Sequence, residues 1–324
     1  IETAEERVKR AIERGGLTET AERAMLISTD SEDSLDELAA LAETAGALVV
    51  SRVLQKRQRP DPGTFIGSGK AEELALDCQA LEVDLAILDD ELTGAQQRAI
   101  DQMIIDCSLP NLDVVFAIDR AGIVGEDGPT HHGMFDLVYT RMVPNMRVLA
   151  PSDEAELVSA LHTALALGGP VALRYPRGTA LGVPIPDEPE TFELGRAVLR
   201  REGDDVAILA FGSMVKRALD AAEELAQAGI QARVVDMRWV KPLDADAIRA
   251  AAATGHVVTV EDGVIEGGAG EGVLEELSRE GLTPKTLVLG IDDQYVHQGK
   301  PDLLMHDLGL DAEGIAASVR ALMS

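Results

Sequence analysis

The strongest constraint on the fold is an alternation of short β-type runs with stretches of helical period, sustained from about residue 24 to the C-terminus. DLAILDD (84–90) is apolar and too short for a helix, which suits a buried strand. SLDELAALAETAG (34–46) repeats apolar residues at Leu35, Leu38, Leu41 and Ala45 and stops at Gly46, which suits a helix with one buried stripe. Chains that alternate in this way fold into mostly parallel sheets covered by helices, because each parallel connection must cross over the sheet.

Other expected strands are AMLIST (24–29), ALVVSRVLQ (47–55), LDVVFAIDR (112–120), MRVLAP (146–151) and PVALRYPRG (170–178). DVAILAFG (205–212), ARVVDMRWV (232–240), HVVTVED (256–262) and TLVLGI (286–291) complete the set. Helices are expected over a charged stretch within 1–20 and over 70–81, 93–107, 153–167, 214–228, 244–253, 268–279 and 311–323. Residues 179–194 carry Pro184, Pro186 and Pro189 among acids and read as a linker. The expected fold is therefore α/β, in two to three domains with mostly parallel sheets flanked by helices. Its segments are 1–97, 98–185 and 190–324.

Composition narrows the classes of function. Acids outnumber bases 57 to 29, a formal charge of -28, which repels nucleic-acid phosphate and anionic lipid. The two cysteines, Cys78 and Cys107, form no C-x-x-C, so neither a disulfide framework nor a thiolate metal site is expected. No apolar run is long enough to span a membrane, and the expected setting is the cytoplasm. The opening Ile1 in place of Met predicts that the numbering starts inside a longer polypeptide.

Two glycine-rich strings fail as nucleotide motifs. FIGSGK (65–70) has Thr64 where a P-loop needs its first Gly, and Ala71 where it needs Ser or Thr for magnesium. GGAGEG (267–272) puts Val273 at the third Gly of a dinucleotide loop and reads as a turn opening a helix. Neither H-E-x-x-H nor G-x-S-x-G occurs.

The chemistry concentrates in AIDRAGIVGEDGPTHHGMFD (117–136). An apolar strand ends at Asp119-Arg120, and the loop after it holds Gly122, Gly125, Gly128 and Gly133 around Asp127, His131 and His132. Ligands bind where parallel strands end, and glycines let the backbone come close to them. Arg177, in RYPRG (174–178), ends another strand on the same expected edge. Arginine suits bidentate phosphate recognition, above all against a net charge of -28. A solvated turn and a surface Arg paired with an acid are the plain alternatives for these two segments.

Together with PNMRVLAPSDEAEL (144–157), VDMRWVKPLD (235–244), VTVEDGVIEGGAGEGV (258–273) and LGLDAEGI (308–315), these strings resemble the deoxyxylulose-phosphate synthases. That family is of the transketolase type and depends on thiamine diphosphate. The resemblance starts near Arg98 and implies that the last domain is transketolase C-terminal-like. It also implies pyruvate and a phosphorylated aldehyde, glyceraldehyde 3-phosphate, as substrates, thiamine diphosphate with Mg2+ as cofactors, and a homodimer. By resemblance Arg120, Arg177 and Arg98 bind the aldehyde's phosphate, while Asp127 and His131 face the reacting carbons as catalytic groups.

The family's Glu-Gln-His-Ala stretch, whose Glu protonates the cofactor pyrimidine, does not occur here, nor does its diphosphate-binding Gly-Asp-Gly…Asn motif. The cofactor-binding residues are therefore not identifiable. The expected activity of these residues alone is weak or nil.

Upstream, ERAMLIST (22–29), SLDELAALAETAGALVV (34–50), KRQRPDPGTFIGSGKAEEL (56–74) and DLAILDDELTGAQQR (84–98) resemble the N-terminal domain of the HflX family of ribosome-associated GTPases. Arg98 falls at the join and reads either as a phosphate ligand or as a helix-surface residue. A ribosome-associated module has only the basic cluster 56–59 in its favour and is disfavoured by the acidity. The other alternative is a chimeric fusion without catalysis.

Overall fold

The computed structural model of the chain describes residues 23–28, 31–44, 46–55, 74, 77–78, 81, 83, 85–89 and 100–324. The charged stretch within 1–20, the KRQR cluster, the FIGSGK string and Arg98 lie outside the described residues.

The alternation does produce parallel sheets. The first runs β1 (Arg23–Ser28), β2 (Leu48–Leu54), β3 (Leu85–Asp89), β4 (Val114–Ile118), β5 (Arg147–Leu149) and β6 (Val171–Arg174), with β10 (Trp239–Lys241) added from far along the chain. Its strand order is β10-β5-β6-β4-β3-β1-β2, with every pair parallel except β10 against β5. Pairing of β3 with β4, from Ala86↔Val114 to Asp89↔Ala117, makes strands from both sides of residue 98 one sheet. Helices α1 (Glu32–Thr44) and α3 (Glu154–Leu167) pack on it through Leu35, Leu38, Leu161 and Leu165.

The second sheet holds β7 (Val198–Arg201), β8 (Val206–Ala210), β9 (Ala232–Asp236), β11 (His256–Val264) and β12 (Lys285–Ile291), in the order β12-β11-β8-β9-β7. The antiparallel pair is β7 with β9. Its helices are α4 (Met214–Gln227), α5 (Ala245–Ala252), α6 (Ala269–Arg279) and α8 (Ala312–Met323).

Three details depart from the sequence reading. The single strand expected over 232–240 is broken at Met237-Arg238 and serves both sheets, as β9 and β10. Asp236 turns the chain: its carboxylate accepts the Arg238 N–H at 3.1 Å, and Arg238 takes a left-handed φ of 52°. Trp239 then sinks fully into the core of the first sheet, its indole N–H donating to the Glu193 carbonyl at 3.1 Å.

The helix expected over 93–107 ends as a π-helical turn, Met103–Ser108, with bonds such as Leu109 N–H to Ile104 O at 2.8 Å spanning five residues. Finally, β7 and the helices α2 (Asp136–Met142) and α7 (Pro301–Asp307) carry no legible period, being short.

The proline-rich linker is irregular yet pinned. Three backbone N–H groups at Leu181, Gly182 and Val183 donate to Glu154, and Phe192 N–H donates to Thr163 Oγ1 at 2.8 Å. At its far end buried Asp244 caps α5 through Ala247 N–H at 3.0 Å and also accepts Ala197 N–H at 2.8 Å. Asp244→Ala is expected to cost about 1–2 kcal/mol, the upper range for a lost N-cap, read as a lower denaturation midpoint.

Candidate functional site

The pairing of β4 with β6 reaches Ile118↔Arg174. It continues beyond the strands, where Tyr175 N–H donates to Ile118 O at 2.9 Å and Ala121 N–H donates to Tyr175 O at 3.0 Å. Arg120 and Arg177 therefore leave the sheet at one edge, the carboxyl ends of neighbouring parallel strands, where open α/β sheets bind ligands. Arg120 is half-buried, with a left-handed φ of 54°.

The loop after β4 is closed at its neck, where Gly122 and Gly133 exchange N–H···O bonds of 2.9 Å each. A Cβ at Gly133 would lie 2.4 Å from the Arg120 carbonyl oxygen, so only glycine lets the neck close around Arg120. Inside the loop His131 N–H donates to Gly128 O at 3.0 Å, and Asp127 is exposed. The Asp127 carboxylate accepts from Arg177 Nη1 at 2.7 Å in an exposed ion pair. His131 is exposed, and its Nδ1 lies 2.9 Å from Thr130 Oγ1. His132 turns inward, buried, and its Nδ1 accepts the Val124 N–H at 3.1 Å. Burial holds its pKa below the usual histidine value, although the backbone of His297 and Val296 opposes that shift.

Beneath the loop lies a buried ionic group. Arg174 donates from Nε to Asp136 and from Nη1 to Asp262, both at 2.7 Å, with all three side chains 2% exposed. Ser213 Oγ donates to the other Asp262 oxygen at 2.9 Å. Burial raises the Asp136 pKa against the opposing pull of Arg174. Burial disfavours the Arg174 charge, and the two carboxylates outweigh it and raise its pKa. Neighbouring Glu261 is fully buried and accepts the Ala269 and Gly270 N–H groups, at 2.9 and 2.7 Å, where α6 starts. Burial lifts its pKa to about 7.

The structure thus brings Arg120, Asp127, His131 and Arg177 to one sheet edge and pairs Asp127 with Arg177 directly. Sequence reasoning missed Asp136, Arg174, Ser213, Glu261 and Asp262. Asp136, Arg174, Glu261 and Asp262 stood inside the quoted strings, but no pattern distinguishes a buried charge from a solvated one. Among the described residues no group of three or more His, Cys, Asp or Glu side chains is placed to hold a metal ion, and no helix is long and apolar enough to cross a membrane.

Three family descriptions match the chain. Residues 195–315 match the transketolase C-terminal domain, and residues 92–181 match the transketolase pyrimidine binding domain. Residues 32–115 match the GTP-binding GTPase N-terminal family, so two matches overlap over 92–115, at the join.

Among curated relatives, the 1-deoxy-D-xylulose-5-phosphate synthase of Chromobacterium violaceum is 52% identical over 244 residues, 75% of this chain and 38% of the relative. That of Nitrosospira multiformis is 49% identical over 247 residues, 76% of this chain and 39% of the relative. The chain thus spans about two fifths of the length of the curated relatives it matches. A solved chain described as a split gene transketolase, inactive beta4 tetramer, superposes with a TM-score of 0.71 at 28% identity, over 99% of this chain and 97% of that one. Over about three quarters of its length the chain is thus homologous to 1-deoxy-D-xylulose-5-phosphate synthases, and it carries the pyrimidine binding and C-terminal domains of the transketolase type after a segment of the GTP-binding GTPase N-terminal type.

Proposed function

We propose that the loop 120–133 and the end of β6 are the phosphate-side half of a deoxyxylulose-phosphate synthase site, which binds glyceraldehyde 3-phosphate and presents it for condensation with pyruvate. The observation that carries this reading is the β4–β6 pairing, which sends Arg120 and Arg177 out of one sheet edge. Two guanidiniums at one edge suit a phosphate dianion. An exposed ion pair is worth at most about 1 kcal/mol, so phosphate can take Arg177 from Asp127. The freed Asp127 carboxylate and the His131 ring then face the aldehyde end, where the His131 imidazole is the group that can move a proton. Arg98 is a third phosphate ligand in this proposal.

Thiamine diphosphate with Mg2+ would supply the electron sink that decarboxylation of pyruvate needs. The donor set around the loop does not fit a metal diphosphate. Asp136 and Asp262 are committed to Arg174, and among the described residues no group of three or more His, Cys, Asp or Glu side chains is placed to hold a metal ion. We therefore assign the cofactor's diphosphate and metal to residues other than these. The chain by itself is then weakly active or inactive, and complementation by the front part of a synthase is what restores turnover. A homodimer, expected from the family, completes the proposal.

A second reading, a fusion without catalysis, has the Asp127–Arg177 pair in its favour, since the proposed phosphate position is already internally satisfied. Calorimetric titration with glyceraldehyde 3-phosphate separates the two. Binding by the wild type, weakened at least about tenfold in Arg177→Ala by loss of a charge-assisted contact, supports the site. No binding by the wild type, or unchanged binding by the variant, supports the fusion. In a separate assay the chain with thiamine diphosphate, Mg2+ and both substrates is expected to release no CO2. Clear release would overturn the proposed inactivity.

A further inference from the structure

We infer that Asp262, a residue of the C-terminal domain, is a positioning residue for the phosphate site proposed above, and that it sets the relative placement of Arg120 and Arg177. This inference rests on that proposal. The carboxylate of Asp262 touches both arms of the site. Its Oδ1 accepts from Arg174, the last residue of β6, three positions before Arg177. Its Oδ2 lies under Gly122, two positions after Arg120, so closely that a Cβ there would be 2.5 Å from it. Ser213 Oγ holds that same oxygen at 2.9 Å.

Gly122 has a left-handed φ of 73° and exchanges bonds with Gly133, so the contact with Asp262 reaches the neck that sets Arg120. Asp136, at the start of α2, fixes the other side of Arg174. Displacing the Asp262 carboxylate therefore moves the seat of the loop and the anchor of the strand together. The loop rests on the C-terminal domain in two more places. Gly299 N–H donates to Gly125 O at 3.1 Å, and Val264 N–H donates to Met134 O at 2.9 Å. The Gly299 contact holds the far side of the loop, while Asp262 under Gly122 and the Val264 bond beside Gly133 hold the neck, where Arg120 sits.

The test uses the full chain, with inorganic phosphate and glyceraldehyde 3-phosphate as probes, in calorimetric titrations at several salt concentrations. Two variants shift Asp262 without removing a charge. Ser213→Ala frees its Oδ2, and Gly122→Ala pushes a methyl against it. A third, Asp262→Asn, keeps the shape and can still accept from Arg174, while the Ser213 hydroxyl can rotate to accept from the new amide.

For a site in which two guanidiniums engage one phosphate, Gly122→Ala is expected to weaken binding about tenfold or more, since a misplaced charge-assisted bond is worth that much. The slope of affinity against salt is expected to fall as well, because fewer charges are engaged. Ser213→Ala is expected to act in the same direction with a smaller effect. Asp262→Asn is expected to bind more tightly than Gly122→Ala.

A purely structural role would lower the melting temperature and leave the salt slope of the folded fraction unchanged, and that result overturns the inference. Wild-type binding that Arg177→Ala abolishes while Gly122→Ala and Ser213→Ala match the wild type also overturns it and leaves the phosphate site standing. A wild type that binds neither probe overturns the phosphate site and this inference with it.

Discussion

Arg174→Met is expected to destabilise the chain by about 3–5 kcal/mol, because it leaves Asp136 and Asp262 buried without a cation. Each carboxylate loses a bond of 2.7 Å in a place where water cannot replace it, since all three side chains are 2% exposed. The size of the loss reflects the cost of stranding charge more than any net gain from the ion pairs themselves. A neutral triple variant, with Asp136→Asn and Asp262→Asn added, should accordingly recover most of the stability.

The sign of the pH dependence is fixed as well. Once Arg174 is gone, the burial that already raises the Asp136 carboxyl above its unfolded value is no longer opposed by that charge. The folded single variant then gains relative to the unfolded chain as pH falls, and its deficit against the wild type narrows on acidification. Denaturant midpoints at pH 7 and pH 5 for the wild type, the single variant and the triple variant check all three expectations. A single-variant loss below about 1 kcal/mol would sink the argument, since that is the cost of disturbing an exposed pair.

Much of the architecture was legible because it rests on periodicity. The run 84–90 and the stripe Leu35, Leu38, Leu41 announce a strand and a helix, and parallel pairing follows from their alternation. The split of 232–240 was not legible. ARVVD and WV are both apolar, and what separates them is the carboxylate of Asp236 accepting one N–H two residues on. Nothing in the string signals that Trp239 packs in the other sheet. The π-helical turn at Met103–Ser108 is hidden in the same way, because a single added residue per turn leaves the sequence looking like an ordinary helix.

The site divides along a similar line. Arg120, Asp127, His131 and Arg177 could be read because polar residues between glycines at a strand end are unusual. The layer beneath them could not. Arg174 follows VAL in β6 and looks like the first solvated residue after a strand, yet it is among the most buried charges in the chain. Its burial depends on α2 and β11 arriving from 38 and 88 residues away to supply Asp136 and Asp262. A local pattern carries no trace of contacts at that separation.

Glu261 gives the second large expectation: the chain should lose about 3 kcal/mol of stability through this one group between pH 4.5 and about 7. Burial raises its pKa from 4.5 to about 7, and the Gly270 and Ala269 N–H groups, with Arg174, keep it from rising further. In the unfolded chain the carboxyl releases its proton near 4.5, while in the folded chain it keeps it to about 7. Below 4.5 both states are protonated and the contribution is fully present. As pH rises through that window only the unfolded state has ionised, so folding weakens steadily, and above about 7 the loss is complete. Each tenfold difference in proton affinity is worth about 1.4 kcal/mol, which gives about 3 kcal/mol in all.

The net charge of -28 acts in the same direction, since acidification relieves repulsion across the whole molecule. The two causes separate in Glu261→Gln, which keeps the shape and one acceptor but cannot ionise. That variant should start less stable, because its amide opposes one of the two helix N–H donors, and its midpoint should change less between pH 5 and pH 8 than the wild type's. Equal slopes in the two proteins would show that the general charge alone drives the pH dependence, and Glu261 would then be an ordinary helix cap.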